Sequence, residues 1–243
     1  MIGKVIIIGY NISLYKCTRR LLLTTELIER IDEIISSKSL LKHPFYQSWS
    51  KGELPKESLK QYAKEYFHFE AMYPTFLSAV HSRCSDRKAR QLILDNLWDE
   101  EHGDENHVEL WLRFCDALGL DREEVENGEA SQATQDLIDE FTRLTSTKSV
   151  ASGTASLYAF ESQVPEVAVS KLEGLSKHYN MAKSSEVAFF KVHSTLDEEH
   201  SEAEREIINT MAVTDEIEEE TIVAVKSAAD SLWNFLDSVY EVK

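Results

Sequence analysis

Apolar residues recur every three or four positions along most of the chain, which is the spacing of an α-helix with one buried face. Leu27, Ile28, Ile31, Ile34 and Ile35 define a first helix, with Thr25 placed to cap it. Pro44 biases His43 away from helical geometry, so "HPFYQSW" begins a new segment. Pro55 suits the first position of a helix running through "LKQYAKEYFHFEAMY" to Pro74, which should kink or end it. Asp86 opens a third long segment, "ARQLILDNLWDEEHGDENHVELWLRFCDALG", for which Gly119 is the stop. Residues 121–135 are polar and acidic and read as a loop. Helical spacing returns over Thr134–Leu144, Gly153–Leu172, His178–Met211 and Ile217–Tyr240. The pattern predicts about seven helices, no convincing strand, and no internal repeat or linker tract. It describes one all-α domain over residues 24–243, with residues 1–23 a tail or an extension from an uncertain start.

Composition sharpens this picture. A chain of 243 residues with 42% hydrophobic content can build a real core, and 8 Gly with 4 Pro favour helices over strands and turns. The net charge of −17 provides no basic footprint for nucleic acid or for an anionic membrane surface. No apolar run reaches the roughly 20 residues of a membrane span. Cys17, Cys84 and Cys115 form no CxxC pair, which fits reduced thiols in a cytoplasmic protein.

Three stretches carry candidate chemistry. In "HSTLDEEH", a helix would put His193, Asp197 and His200 on one narrow face. In "DEEHGDENH", Glu100 and His107 are seven residues apart, about two turns and 10 Å of rise on one helix. Glu161 lies on an apolar stripe with Leu157, Tyr158, Val164, Ala168 and Leu172, where a carboxylate needs a partner. Pro165, one turn on, bends that helix. Three histidines and three carboxylates on three helices suit iron or manganese better than a thiolate-bound zinc. Oxygen-activating di-iron centres of helical bundles use such a set. Other readings stay open at this point: a solvated acidic face, Glu161 paired with a basic residue, or a ferritin-like arrangement. The last would use Asp104-x-x-His107 and Asp197-x-x-His200 with Glu70 and Glu161. Asp104 and Glu204 also fall on the ligand faces, as competing or outer groups.

The order Glu-x6-His, a lone Glu, then His-x3-Asp-x2-His resembles the haem-oxygenase-like di-metal oxidases. Within them the chain resembles the CADD-like para-aminobenzoate synthases over about residues 25–235, with Tyr46 in "HPFYQSW", Tyr62 in "LKQYAKEY" and Lys171 in "SKLEGL". The resemblance implies a seven-helix haem-oxygenase-like (TENA/PqqC-like) bundle without haem. It implies two divalent metal ions, Fe/Fe or Fe/Mn, on Glu100, His107, Glu161, His193, Asp197 and His200, with oxygen and a reductant as co-substrates. The implied activity is a self-sacrificing synthesis of para-aminobenzoate for folate. Tyr46 would give the ring, Lys171 the amine, and Tyr62 would act as a redox-active or positioning tyrosine. A homodimer is implied too. Phe189 stands where the family carries a second pocket tyrosine. Two alternatives compete. One is a multiple-turnover oxidase or oxygenase acting on a diffusible amine or fatty acid, and the other is a module that binds a basic protein partner. A thiaminase-like activity would need a cysteine nucleophile, and none of the three cysteines has an obvious partner.

Overall fold

A computed structural model describes residues 26–240; the predicted tail, Cys17 and Thr25, expected as a cap, fall outside them. Every regular element among the described residues is helical. Residues 26–37 form α1, and a 3-10 turn at Leu40–Lys42 leads into α2 (Pro44–Lys51). His43 caps α2, its Nδ1 accepting the Phe45 N–H at 3.1 Å, so the predicted restart at Pro44 is present. There follow α3 (Lys56–Arg83), α4 (Arg87–Glu101), α5 (His107–Ala117) and α6 (Arg122–Asn127). The chain continues with α7 (Gln132–Thr147), α8 (Val150–Glu161) and α9 (Val164–His178). It ends with α10 (Ala188–His193), α11 (Leu196–Met211) and α12 (Asp215–Tyr240).

The expectation of seven helices needs correction, because three predicted helices are each cut. Asp86–Gly119 breaks at residues 102–106, where Gly103 has φ +84° and the Asn106 side chain caps α5 by accepting the Glu109 N–H. Gly153–Leu172 breaks at Ser162–Gln163, and Pro165 falls in the first turn of α9. His178–Met211 is interrupted by the irregular residues 179–187 and again at Ser194–Thr195. Residues 121–135 are not wholly loop, since Asp121 caps the short α6. Pro74, in contrast, does not end α3; it only deprives the Glu70 carbonyl of its helical N–H partner.

The axis of the molecule is α8, whose residues Ala151–Glu161 are all buried. It is wrapped by α3, α7, α11 and α12. Small residues permit this: a Cβ on Gly153 would come within 3.1 Å of the Val80 Cγ2. α4 and α5 cover α3, while α10 bridges α5 and α9, and α9 packs on α2. Phe69, Phe76, Phe141, Trp111 and Phe114 fill the interior, each burial worth about 1.5–3 kcal/mol. No helix among the described residues is long and apolar enough to cross a membrane.

Candidate metal centre

The helix breaks converge on one place. Glu100 lies at the end of α4 and His107 begins α5; Glu161 ends α8; His193 ends α10, and Asp197 is in the first turn of α11. Glu100 and His107 are therefore not separated by two turns of one helix. The bend between α4 and α5 brings Glu100 Oε2 to 2.7 Å from His107 Nδ1. "HSTLDEEH" is likewise not one helix, yet His193 Nδ1 is 2.9 Å from Asp197 Oδ2. The His107 and His193 rings are 4.3 Å apart. His200 Nδ1 is 3.7 Å from Asp197 Oδ1 and 3.8 Å from Glu161 Oε2. All six predicted residues are thus buried in one connected cluster.

Other side chains in the cluster were not in the six-residue set. Glu70, from the middle of α3, places an oxygen within 4.8 Å of ring nitrogens of both His107 and His193. Glu161 is held by Asn96 Nδ2, at 3.0 Å from each oxygen, and by the Tyr73 hydroxyl. His200 Nε2 meets Asp99 at 3.1 Å, which turns Nδ1 inward. A signal for part of this existed in the sequence. Tyr62, Tyr66, Glu70 and Tyr73 step along α3 at helical spacing, a buried stripe with polar tips. The ferritin-like alternative does not form, because Asp104 is exposed in the turn before α5.

The electrostatics suit a cation. Burial, and next the Glu100 charge, push Glu70 up to about 7. Burial also lifts Glu100 and Glu161 to about 7, against the pull of His193 and His200 respectively. Burial opposes charge on His193, but Asp197, Glu70 and Glu100 together outweigh it and hold that ring up to about 9. His107 falls to about 4 through burial and the neighbouring His193, so it presents a neutral imidazole. Glu70 Oε1, His193 Nε2 and His200 Nδ1 are buried with no hydrogen-bond partner. Such atoms are costly unless something meets them. Carboxylate and imidazole donors without thiolates suit hard to borderline divalent ions, and the buried Glu70, His107 and His193 group could hold a metal ion.

A second group adjoins the cluster. Lys171, on α9, is buried, and its Nζ donates to the Tyr62 hydroxyl at 2.7 Å. That hydroxyl is 3.4 Å from the Tyr46 hydroxyl. The Nζ lies 5.0–5.9 Å from the centroids of the Tyr46, Trp49, Tyr62, Tyr66, Trp111 and Phe190 rings. Burial lowers Lys171 to about 7, while Glu70 pulls the other way. Burial pushes the Tyr46 and Tyr62 phenols upward, so both stay protonated. Trp49 can approach α9 because position 174 is glycine; a Cβ there would lie 2.6 Å from the indole Cδ1. Between the two groups lies a cavity of about 20 Å³, lined by Tyr46, Tyr66, Lys171, Phe189 and His193 among others. The Phe189 ring stands 4.2 Å from His193 and lines the same cavity.

Residues 29–242 match the TENA/THI-4/PQQC family. A 4-aminobenzoate synthase of Chlamydia muridarum is 42% identical over 214 residues, 88% of this chain and 90% of that protein. A TenA homologue from Pseudomonas syringae superposes with a TM-score of 0.78 at 18% identity, covering 90% of this chain and 92% of that one. A domain with a heme oxygenase-like fold from Shewanella denitrificans gives 0.75 at 20% identity, covering 89% and 91%. The expected haem-oxygenase-like architecture is therefore present.

Proposed function

The chain belongs to the TENA/THI-4/PQQC family, and on that premise we propose that it is a 4-aminobenzoate synthase whose aromatic substrate is the ring of its own Tyr46. The name of its Chlamydia muridarum relative supports the product. The observation that carries the choice of substrate is the buried Lys171–Tyr62–Tyr46 contact beside a cavity of about 20 Å³. That space holds something the size of a water molecule. Sites for diffusible small molecules commonly measure some hundreds of Å³. The small size of the space favours an aromatic substrate drawn from the wall of the cavity. The ring and Cβ of a tyrosine match the carbon skeleton of 4-aminobenzoate, so breaking the Cα–Cβ bond releases the right framework.

Glu100, His107, Glu161, His193, Asp197 and His200 would hold two divalent ions, with Glu70 joining His107 and His193. When bound, the ions supply oxygen activation and oxidising power, with a reductant as the other co-substrate. Lys171 is the amine: lowered to about 7, it presents a free lone pair near neutral pH. Tyr62 lies between Lys171 and Tyr46 and can pass a proton from one to the other. Phe160, Val164, Phe189 and Phe190 keep bulk water from the cavity. The product would feed folate synthesis.

The test is mass spectrometry on protein given Fe(II), a reductant and oxygen. The expected result is released 4-aminobenzoate, at most one molecule per chain, with loss of the side-chain mass from the Tyr46 peptide. Tyr46→Phe should bind metal normally and release none. Normal product from that variant overturns the assignment, and so do many turnovers with Tyr46 intact, the signature of an oxidase with a diffusible substrate. Yield should rise with pH through about 7 as Lys171 loses its proton, and Lys171→Arg should abolish product at every pH.

A further inference from the structure

The cluster has a second end that six residues leave unexplained. Glu204 lies on α11, four residues past His200 and seven past Asp197, so the three share one face of that helix. It is 4% exposed, and neither carboxylate oxygen has a hydrogen-bond partner. Burial, and after it the facing charges of Glu161 and Asp197, raise it well above the usual carboxylate range. A leucine would suit such a position better if packing were its only task. His200 Nδ1 is also buried without a partner, since Asp99 engages the other nitrogen. Glu204, His200 and Asn96 open on one small cavity of about 10 Å³, otherwise walled mainly by Leu77, Ile93 and Ile207. Unpartnered atoms of Glu204 and His200 thus line the same space, together with Asn96 Oδ1 and Thr154 Oγ1, which also lack partners, beside a Glu161 oxygen 3.8 Å from His200 Nδ1.

We propose that Glu204 is a metal ligand, completing with Glu161, Asp197 and His200 an oxygen-rich cation position distinct from the more nitrogen-rich one of Glu70, Glu100, His107 and His193. This rests on the metal-centre reading above. The two positions are chemically unequal. Three carboxylates and one imidazole favour a harder ion than two of each. Five carboxylates against two dications leave a single excess negative charge, so Glu204 does not overload the site once both ions are present. Without them it is a buried carboxyl that faces Glu161 and Asp197 and has no hydrogen-bond partner.

The probe is Mn(II), titrated into metal-free full-length protein, with free ion read by electron paramagnetic resonance and the melting temperature measured before and after. Wild type should take two equivalents. Glu204→Gln should keep one equivalent at wild-type affinity and bind the other at least tenfold more weakly, while the metal-free variant melts no lower than wild type. Glu204→Asp should fall between. Two equivalents at unchanged affinity in Glu204→Gln overturn the inference and leave the metal centre standing. A variant that melts lower without metal and weakens both equivalents alike shows a structural role and overturns it too. Wild type that binds no Mn(II) removes the metal-centre reading as well.

Discussion

Glu65 and Glu70 stand five residues apart on α3, and both are nearly closed to solvent, at 6% and 3% exposed. Glu65 accepts the Gln61 side-chain amide at 2.8 Å, the Ser131 backbone N–H at 3.0 Å and the Thr134 hydroxyl. It thereby ties α3 to the start of α7, whose N-terminal dipole favours an anion. Glu70 keeps one oxygen without any partner, faces Glu100, and is pushed up to about 7 by burial and that neighbour. The same residue type at the same depth acts as a clamp in one place and an open donor in the other. Burial alone does not mark a functional carboxylate; burial with too few donors does.

The largest effect should come from removing the clamp. Glu65→Ala strands the Ser131 N–H and leaves the Thr134 hydroxyl only its contact with the Ser131 hydroxyl, and should cost about 3 kcal/mol of folding stability in urea titrations, with or without metal. If the loss appears only in the metal-loaded protein, the contrast fails. Glu70→Gln should show the reverse pattern. Metal affinity should drop about tenfold, near 1.4 kcal/mol, by calorimetry, while the metal-free protein unfolds no more readily than wild type. Equal losses with and without metal would make Glu70 a second clamp. The smallest effect is a slope. Because the folded pKa of Glu70 is raised from 4.5 to about 7, the folded protein retains a proton that the unfolded chain releases between those values. Its contribution to stability is full on the acid side and is lost as pH rises through about 7. Metal-free Glu70→Gln should therefore lose less stability than wild type between about pH 5 and about pH 8. An identical slope would show that Glu70 does not titrate there.

The comparison also explains what the sequence could and could not reveal. His193, Asp197 and His200 were legible from spacing, because one turn of helix or a tight turn both bring residues three and four apart together. The long elements were legible too: α12 is Asp215–Tyr240 against a predicted Ile217–Tyr240, and helices begin at Pro44 and just after Asp86, where new segments were expected. The breaks were not. Apolar spacing runs on through residues 102–106, through Ser162–Gln163 and through Ser194–Thr195, since short interruptions barely disturb a 3.6-residue period. Those interruptions are flanked by Glu100, His107, Glu161, His193 and Asp197, at the helix ends on either side. Local pattern and observed structure part company where the site is built, as expected of functional positions. Glu70 and Glu204 lay in plain helical stretches, where spacing offered them as alternative or outer groups, and their unpartnered buried oxygens are what set them apart in the structure.

Tyr46 is 5% exposed, with its ring edge-on to Phe45 at 5.3 Å and 6.4 Å from Trp49. If that ring is the substrate, each act of synthesis is also a large-to-small mutation in the core. Deletions of that kind cost about 3–5 kcal/mol, against a total fold stability of about 5–15 kcal/mol. A spent molecule would then differ from a fresh one in how often it opens, and so in how readily proteases degrade it. The burial that protects the reaction would also set the lifetime of the exhausted chain.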